Sequence, residues 1–180
     1  MYLLPKYILC YYYGGFFKLK LVKSLVISVL TYADVCLLGL SDRLNYKLQK
    51  IQNSCVRYVF NINRKSHIHP ILYQHNLLNI HFTRILHTLT LLYSLLKFNE
   101  PKFLSNKIIF LSAYHNYNTR NDKLSITHSR TSLGASSFFI FSCKLWNELP
   151  PHIRNATSLS NFRENCKMFL LQEMYNKHIV

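Results

Sequence analysis

The sequence predicts a mainly α fold, a helical bundle interrupted by one irregular segment with room for short strands and closed by C-terminal helices. Two observations carry this. Apolar residues recur at helical spacing through several long windows, and the periodicity vanishes between residues 112 and 132. Half of the chain is apolar, enough to bury a core and to argue against disorder.

Over 17–36, Leu21, Leu25, Ser28, Val29, Tyr32 and Cys36 lie at helical spacing in a dense apolar run. This predicts a largely buried helix that Gly39 ends. Ser41 or Asp42 then caps a second helix, in which Leu44, Leu48, Ile51, Cys55 and Val59 form one apolar stripe. A polar loop over 61–69 follows, and Pro70 introduces a short helical turn over 71–75.

A third long helix is expected over 79–97. Phe82, Ile85, Leu86, Leu89, Leu92, Tyr93 and Leu96 line one side, and Thr83, His87, Thr90, Ser94 and Lys97 line a polar one. On this reading His87 needs no ligand role. Pro101 stops the helix and a short apolar segment covers 102–110. Residues 112–132, rich in Asn, Ser, Thr and His, read as loop with one or two extended pieces. A helix over 136–149 carries Phe139, Cys143 and Trp146 and ends at Pro150-Pro151; Trp146 reads as core. A last helix begins at the cap Ser158 and runs through Phe162, Cys166, Phe169, Leu170 and Glu173.

Charge narrows the function. Twenty-two Lys and Arg against seven Asp and Glu give +15, a field that favours polyanionic partners. From Arg43 to Lys97 no acidic residue occurs, so that stretch is the expected contact surface. On the second helix Arg43, Lys47, Lys50 and Arg57 gather within about a quarter of the circumference beside the apolar stripe. Arg64 and Lys65 extend the basic surface into the loop. The alternative is a helical structural or protein-interaction domain whose charge is an incidental solvated face.

Other chemistries lack their residues. The segment 21–40 is apolar but contains Lys23 and Asp34, each costly within a bilayer, and the N-terminal run has no basic region of the signal-peptide kind. No membrane partner is therefore expected, and the location is expected to be intracellular, in cytoplasm or nucleus. Five scattered cysteines read as buried apolar residues of a reducing compartment. The histidines offer one close pair, His67 and His69, and no C-x-x-C exists, so neither metal nor other cofactor is expected. Tyr32-Ala33-Asp34-Val35 superficially resembles a Tyr-x-Asp-Asp signature, yet Val35 stands where a second carboxylate belongs. With Asp34, Asp42 and Asp122 the only aspartates, two-metal phosphoryl transfer has no ligand set. No catalytic residue is expected on this chain. Tyr114, Tyr117 and Trp146 are candidates for stacking on bases, but aromatics at this density are more often core.

Four blocks carry a family resemblance: LKLVKSLVISVLTYADV from Leu19, LQKIQNSCVRYVF from Leu48, HNYNTRND from His115, and KLWNELPPHIRNATSLSNFRENCK from Lys144. Their order resembles the region downstream of the palm in reverse transcriptases of non-LTR, LINE-type retrotransposons of the jockey-like kind. The last block is the most specific, with Leu145, Trp146, Asn147, Leu149, Pro150, Ser158, Leu159 and Phe162 in register. The resemblance implies a poorly matched segment over 1–16, a helical thumb-like region over 17–111, and a C-terminal region over 112–180. It implies a truncated fragment of an RNA-directed DNA polymerase from a transposable element, non-catalytic alone. Its partners would be the backbone of RNA or an RNA–DNA primer-template and the remaining polymerase domains of the full-length element. Arg120, in the HNYNTR block, joins the candidate nucleic-acid contacts on this basis.

Overall fold

The computed structural model describes residues 15–113 and 123–176. Among them regular structure is helical apart from one isolated antiparallel bridge, Phe110 to Leu124, so the protein is mainly α. We label the helices α1 (15–30), α2 (Asp42–Phe60), α3 (His69–Gln74), α4 (Ile80–Phe98), α5 (Lys102–Ser105), α6 (Ser132–Ala135), α7 (Phe138–Glu148), α8 (Pro151–Arg154) and α9 (Leu159–Asn176). The described chain divides into two compact units, the first holding 15–32 and Ser41–His81, the second Ala33–Leu40 and the chain from Phe82 onward.

In the first unit α1 stops earlier, and is far wetter, than its apolar sequence predicts. Its middle turn, Lys23–Ile27, is π-helical. Along it Ser24 donates to Leu21 O, Ser28 to Ser24 O, and Thr31 to Ile27 O, the back-bonding that bends helices and offers the backbone alternative partners. No side chain of 15–30 is buried; Leu25 is 67% and Val29 71% exposed. An apolar run alone does not say what covers it, and among the described residues nothing buries this one completely.

Helix α2 begins at Ser41, which contributes its carbonyl to Leu44 and Asn45 rather than a hydroxyl cap. Its buried residues are Gln52, Val56 and Val59, whereas Leu44 and Ile51 are exposed. The inward face is thus rotated from the expected stripe, because Gln52 goes inside as a partnered polar group. Its Nε2 donates to Leu78 O at 2.7 Å, and Gln49 Nε2 donates to Gln52 Oε1. Gln49 Oε1 in turn accepts from Ile80 N at 3.0 Å, satisfying an otherwise orphan donor in the first turn of α4. Leu72, Leu78 and Ile80 are also buried, and Phe60 stacks on His75 at 3.9 Å.

Asparagines, not glycines, end three helices. Asn61, Asn76 and Asn99 take left-handed φ of 50°, 51° and 55°, which Asn tolerates best after Gly. After Phe60 and Gln74 the reversal is completed by Ile62 N to Arg57 O and Leu77 N to Leu72 O.

The second unit starts at Ala33, whose left-handed φ of 49° ends the preceding turn and opens a 3-10 turn, Asp34–Leu37. Asp34 is 3% exposed, and its Oδ2 lies 2.7 Å from His87 Nδ1. So His87 is partnered, not merely solvated on a polar face. Helix α4 is buried around more of its circumference than an amphipathic helix would be: Thr88 and Arg84 are inside with Leu89, Leu92 and Leu95. Thr88 is made compatible by donating to Arg84 O at 2.8 Å.

The C-terminal part packs around Phe162. Tyr93 stacks on it at 4.4 Å and Trp146 at 5.9 Å, so Trp146 is core, as expected. Leu149, Ile153, Cys166 and Leu170 are buried around them. Pro150 ends the chain segment after α7 and stands at the N-cap of α8. Ser158 Oγ accepts from Asn161 N at 3.2 Å, the N-cap its position predicts. Of the extended pieces expected over 112–132, one is seen in the bridge at Leu124.

Candidate nucleic-acid interface

Helix α2 runs for 19 residues with its buried Gln52 and Val59 on one side. At 100° per residue, the opposite side places Lys50, Arg43 and Ser54 near its centre, Lys47 about 40° to one flank and Arg57 about 40° to the other. Arg43, Lys47 and Lys50 are exposed. No carboxylate among the described residues pairs with them. Three exposed cations on consecutive turns form a stripe that a polyanion can neutralise.

The other candidates divide. Arg57 Nη1 donates to Asn63 O at 2.6 Å and Ser66 O at 3.0 Å, so its guanidinium ties the loop after α2 and is committed to the fold. Arg64 and Lys65 are exposed on that loop, where Lys65 N donates to Asn63 Oδ1 at 3.3 Å. They continue the basic surface in the same unit. Arg120, Tyr114 and Tyr117 lie outside the described residues.

Arg84 belongs to no such surface. It is 3% exposed, and burial pulls its guanidinium below its ordinary range while the nearby Asp34 carboxylate partly restores it. The acid-free stretch from Arg43 to Lys97 is therefore not one continuous contact face, because a cation's position in sequence does not reveal whether it meets water.

Two side chains that charge-based reading passes over frame the stripe. Tyr46 and Tyr58 lie about 60° to either side of Arg43 around the helix. Both are exposed, at 65% and 63%. Lys50 Nζ sits 5.5 Å from the Tyr46 ring centroid, and Lys18 Nζ 5.2 Å from that of Tyr58. The signal was present as spacing, since residues 46, 50, 54 and 58 follow one another by four.

The described cysteines are reduced: Cys36 is exposed, Cys55 half-buried, Cys143 and Cys166 buried. Burial raises the thiols of Cys55 and Cys143, the latter against an opposing hydrogen bond from Ser142, and pushes Cys166 up to about 12. No group of three metal-ligating side chains is assembled among the described residues, and no helix among them is long and apolar enough to cross a membrane. A cleft of about 500 Å³ in the second unit, lined by Tyr93, Lys97, Trp146 and Arg154 among others, includes none of the candidate contact residues. No protein-family model, curated protein or solved structure matches the chain.

Proposed function

We propose that this chain is the thumb and C-terminal region of a non-LTR, jockey-like retrotransposon reverse transcriptase, and that it holds the backbone of RNA or an RNA–DNA primer-template without doing chemistry itself. The observation that carries the reading is the α2 face: Arg43, Lys47 and Lys50 exposed and without carboxylate partners, diametrically opposite the packed Gln52 and Val59. Contacts of this kind are made to phosphates, independent of base sequence and weakened by salt. The one aspartate in the Tyr-x-Asp stretch supports the non-catalytic part, since Asp34 is buried against His87 and is not presented to a metal–phosphate complex.

The test is binding of the full chain to a labelled RNA–DNA hybrid across a salt series. Affinity should fall log-linearly with salt, and Lys47→Glu with Lys50→Glu should weaken binding and flatten the slope by roughly two units. Binding that ignores salt, or that survives the double reversal unchanged, would refute the assignment. A protein-interaction domain is the second reading, favoured by the exposed apolar side chains of α1, Phe17, Leu21, Leu25 and Val29. It is separated from the first by the same salt series.

A further inference from the structure

The α2 face is more than a row of cations, because each edge of the stripe carries an exposed aromatic ring with a lysine over it. We infer that this face takes unpaired nucleotides, with Tyr46 and Tyr58 as the rings on which bases stack. The inference rests on the nucleic-acid reading above and sharpens it, from any phosphate backbone to single-stranded RNA or DNA.

The physical case is one of cost. A tyrosine two-thirds exposed contributes little burial to the fold, so neither ring owes its position to the core of α2, which lies on the opposite side. Duplex backbone presents phosphates and sugars, to which a flat ring adds little; a splayed base presents a π-face, which a ring accepts whatever the base. Twelve residues of helix separate the two rings, about 18 Å along the axis. Between them stand Lys47, Lys50 and Ser54, so phosphates linking two stacked bases would run along the lysines. Lys50 over Tyr46 and Lys18 over Tyr58 place a cation on one face of each ring, so a base stacks on the other face and the cation stays within reach of its phosphate.

The experiment compares two probes on the full chain by fluorescence anisotropy: a uridine oligomer of roughly 12 nucleotides and a fully paired RNA–DNA hybrid of the same length. Tyr46→Leu with Tyr58→Leu should weaken oligomer binding about 10-fold or more while changing hybrid binding less than about two-fold. Tyr46→Phe with Tyr58→Phe should keep both. Circular dichroism checks that the Leu variant folds, and each single Tyr→Leu change gives the same comparison if the pair does not. If the Leu variant holds the oligomer as tightly as the parent, or loses both probes equally, stacking is refuted while the phosphate reading stands. If the parent binds neither probe in a salt-dependent way, both fall.

Discussion

The side-chain amide of Asn147 forms both hydrogen bonds that a neighbouring strand would make with Leu124: Leu124 N donates to its Oδ1 at 2.8 Å, and its Nδ2 donates to Leu124 O at 2.9 Å. One residue of α7 thereby satisfies the backbone of a segment that, among the described residues, has a single bridge and no sheet to complete it. The Leu-Trp-Asn-x-Leu-Pro element is a packing device: Trp146 and Leu149 enter the core, Asn147 clamps the incoming chain, and Pro150 turns it into α8.

Asn147→Ala removes both bonds and leaves two backbone groups at Leu124, itself 1% exposed, without partners. The expected loss is about 2–3 kcal/mol, read as a lower urea midpoint from the fluorescence of Trp146, the only tryptophan. Asn147→Asp keeps the acceptor alone and should fall between.

Asp34→Asn takes the charge out of the 2.7 Å contact with His87 Nδ1 and should cost about 1–2 kcal/mol, and Asp34→Asn with His87→Ala should lose less than the sum of the two single changes. Thermal unfolding of the four proteins forms the cycle. Additive losses would show that the two residues are not coupled.

Arg57 and Lys47 should behave oppositely although both are cations of α2. Arg57→Ala releases Asn63 O and Ser66 O and should lower stability by about 1–2 kcal/mol. Lys47→Ala touches no partner and should stay within about 0.5 kcal/mol of the parent. Melting temperatures at equal ionic strength separate them.

The buried thiols set a pH dependence. Each has a folded pKa raised above its unfolded value, so the stability it contributes is whole below pH 9 and is lost as pH rises through the folded value, about 12 for Cys166. Cys166→Ala should therefore show a shallower decline in urea midpoint between pH 9 and pH 12 than the parent. At neutral pH, peptide mapping after brief alkylation should find Cys36 modified and Cys143 and Cys166 protected.

Much of the helical order was legible because it is written in period and punctuation: α2, α4, α7 and α9, the cap at Ser158, and Trp146 as core. What escaped was polar burial. Gln52 and Thr88 look like surface residues until their partners, Leu78 O and Arg84 O, are known, and those bonds are tertiary or depend on rotamer. For the same reason the basic stripe was legible as angles on a helix, but not that Arg57 is spent on a loop. The early end of α1 at Leu30 was hidden by an apolar run that reads alike in a helix and beyond it.

Helix α1, which buries none of its side chains, has a dynamic counterpart. Opening it wets little that is not already wet, so it should unzip alone, many times for each unfolding of the second unit. In deuterated buffer the amides over 19–30 should exchange early. Those of Leu89, Leu92 and Leu95 on α4 should wait for the unit around Phe162 to come apart.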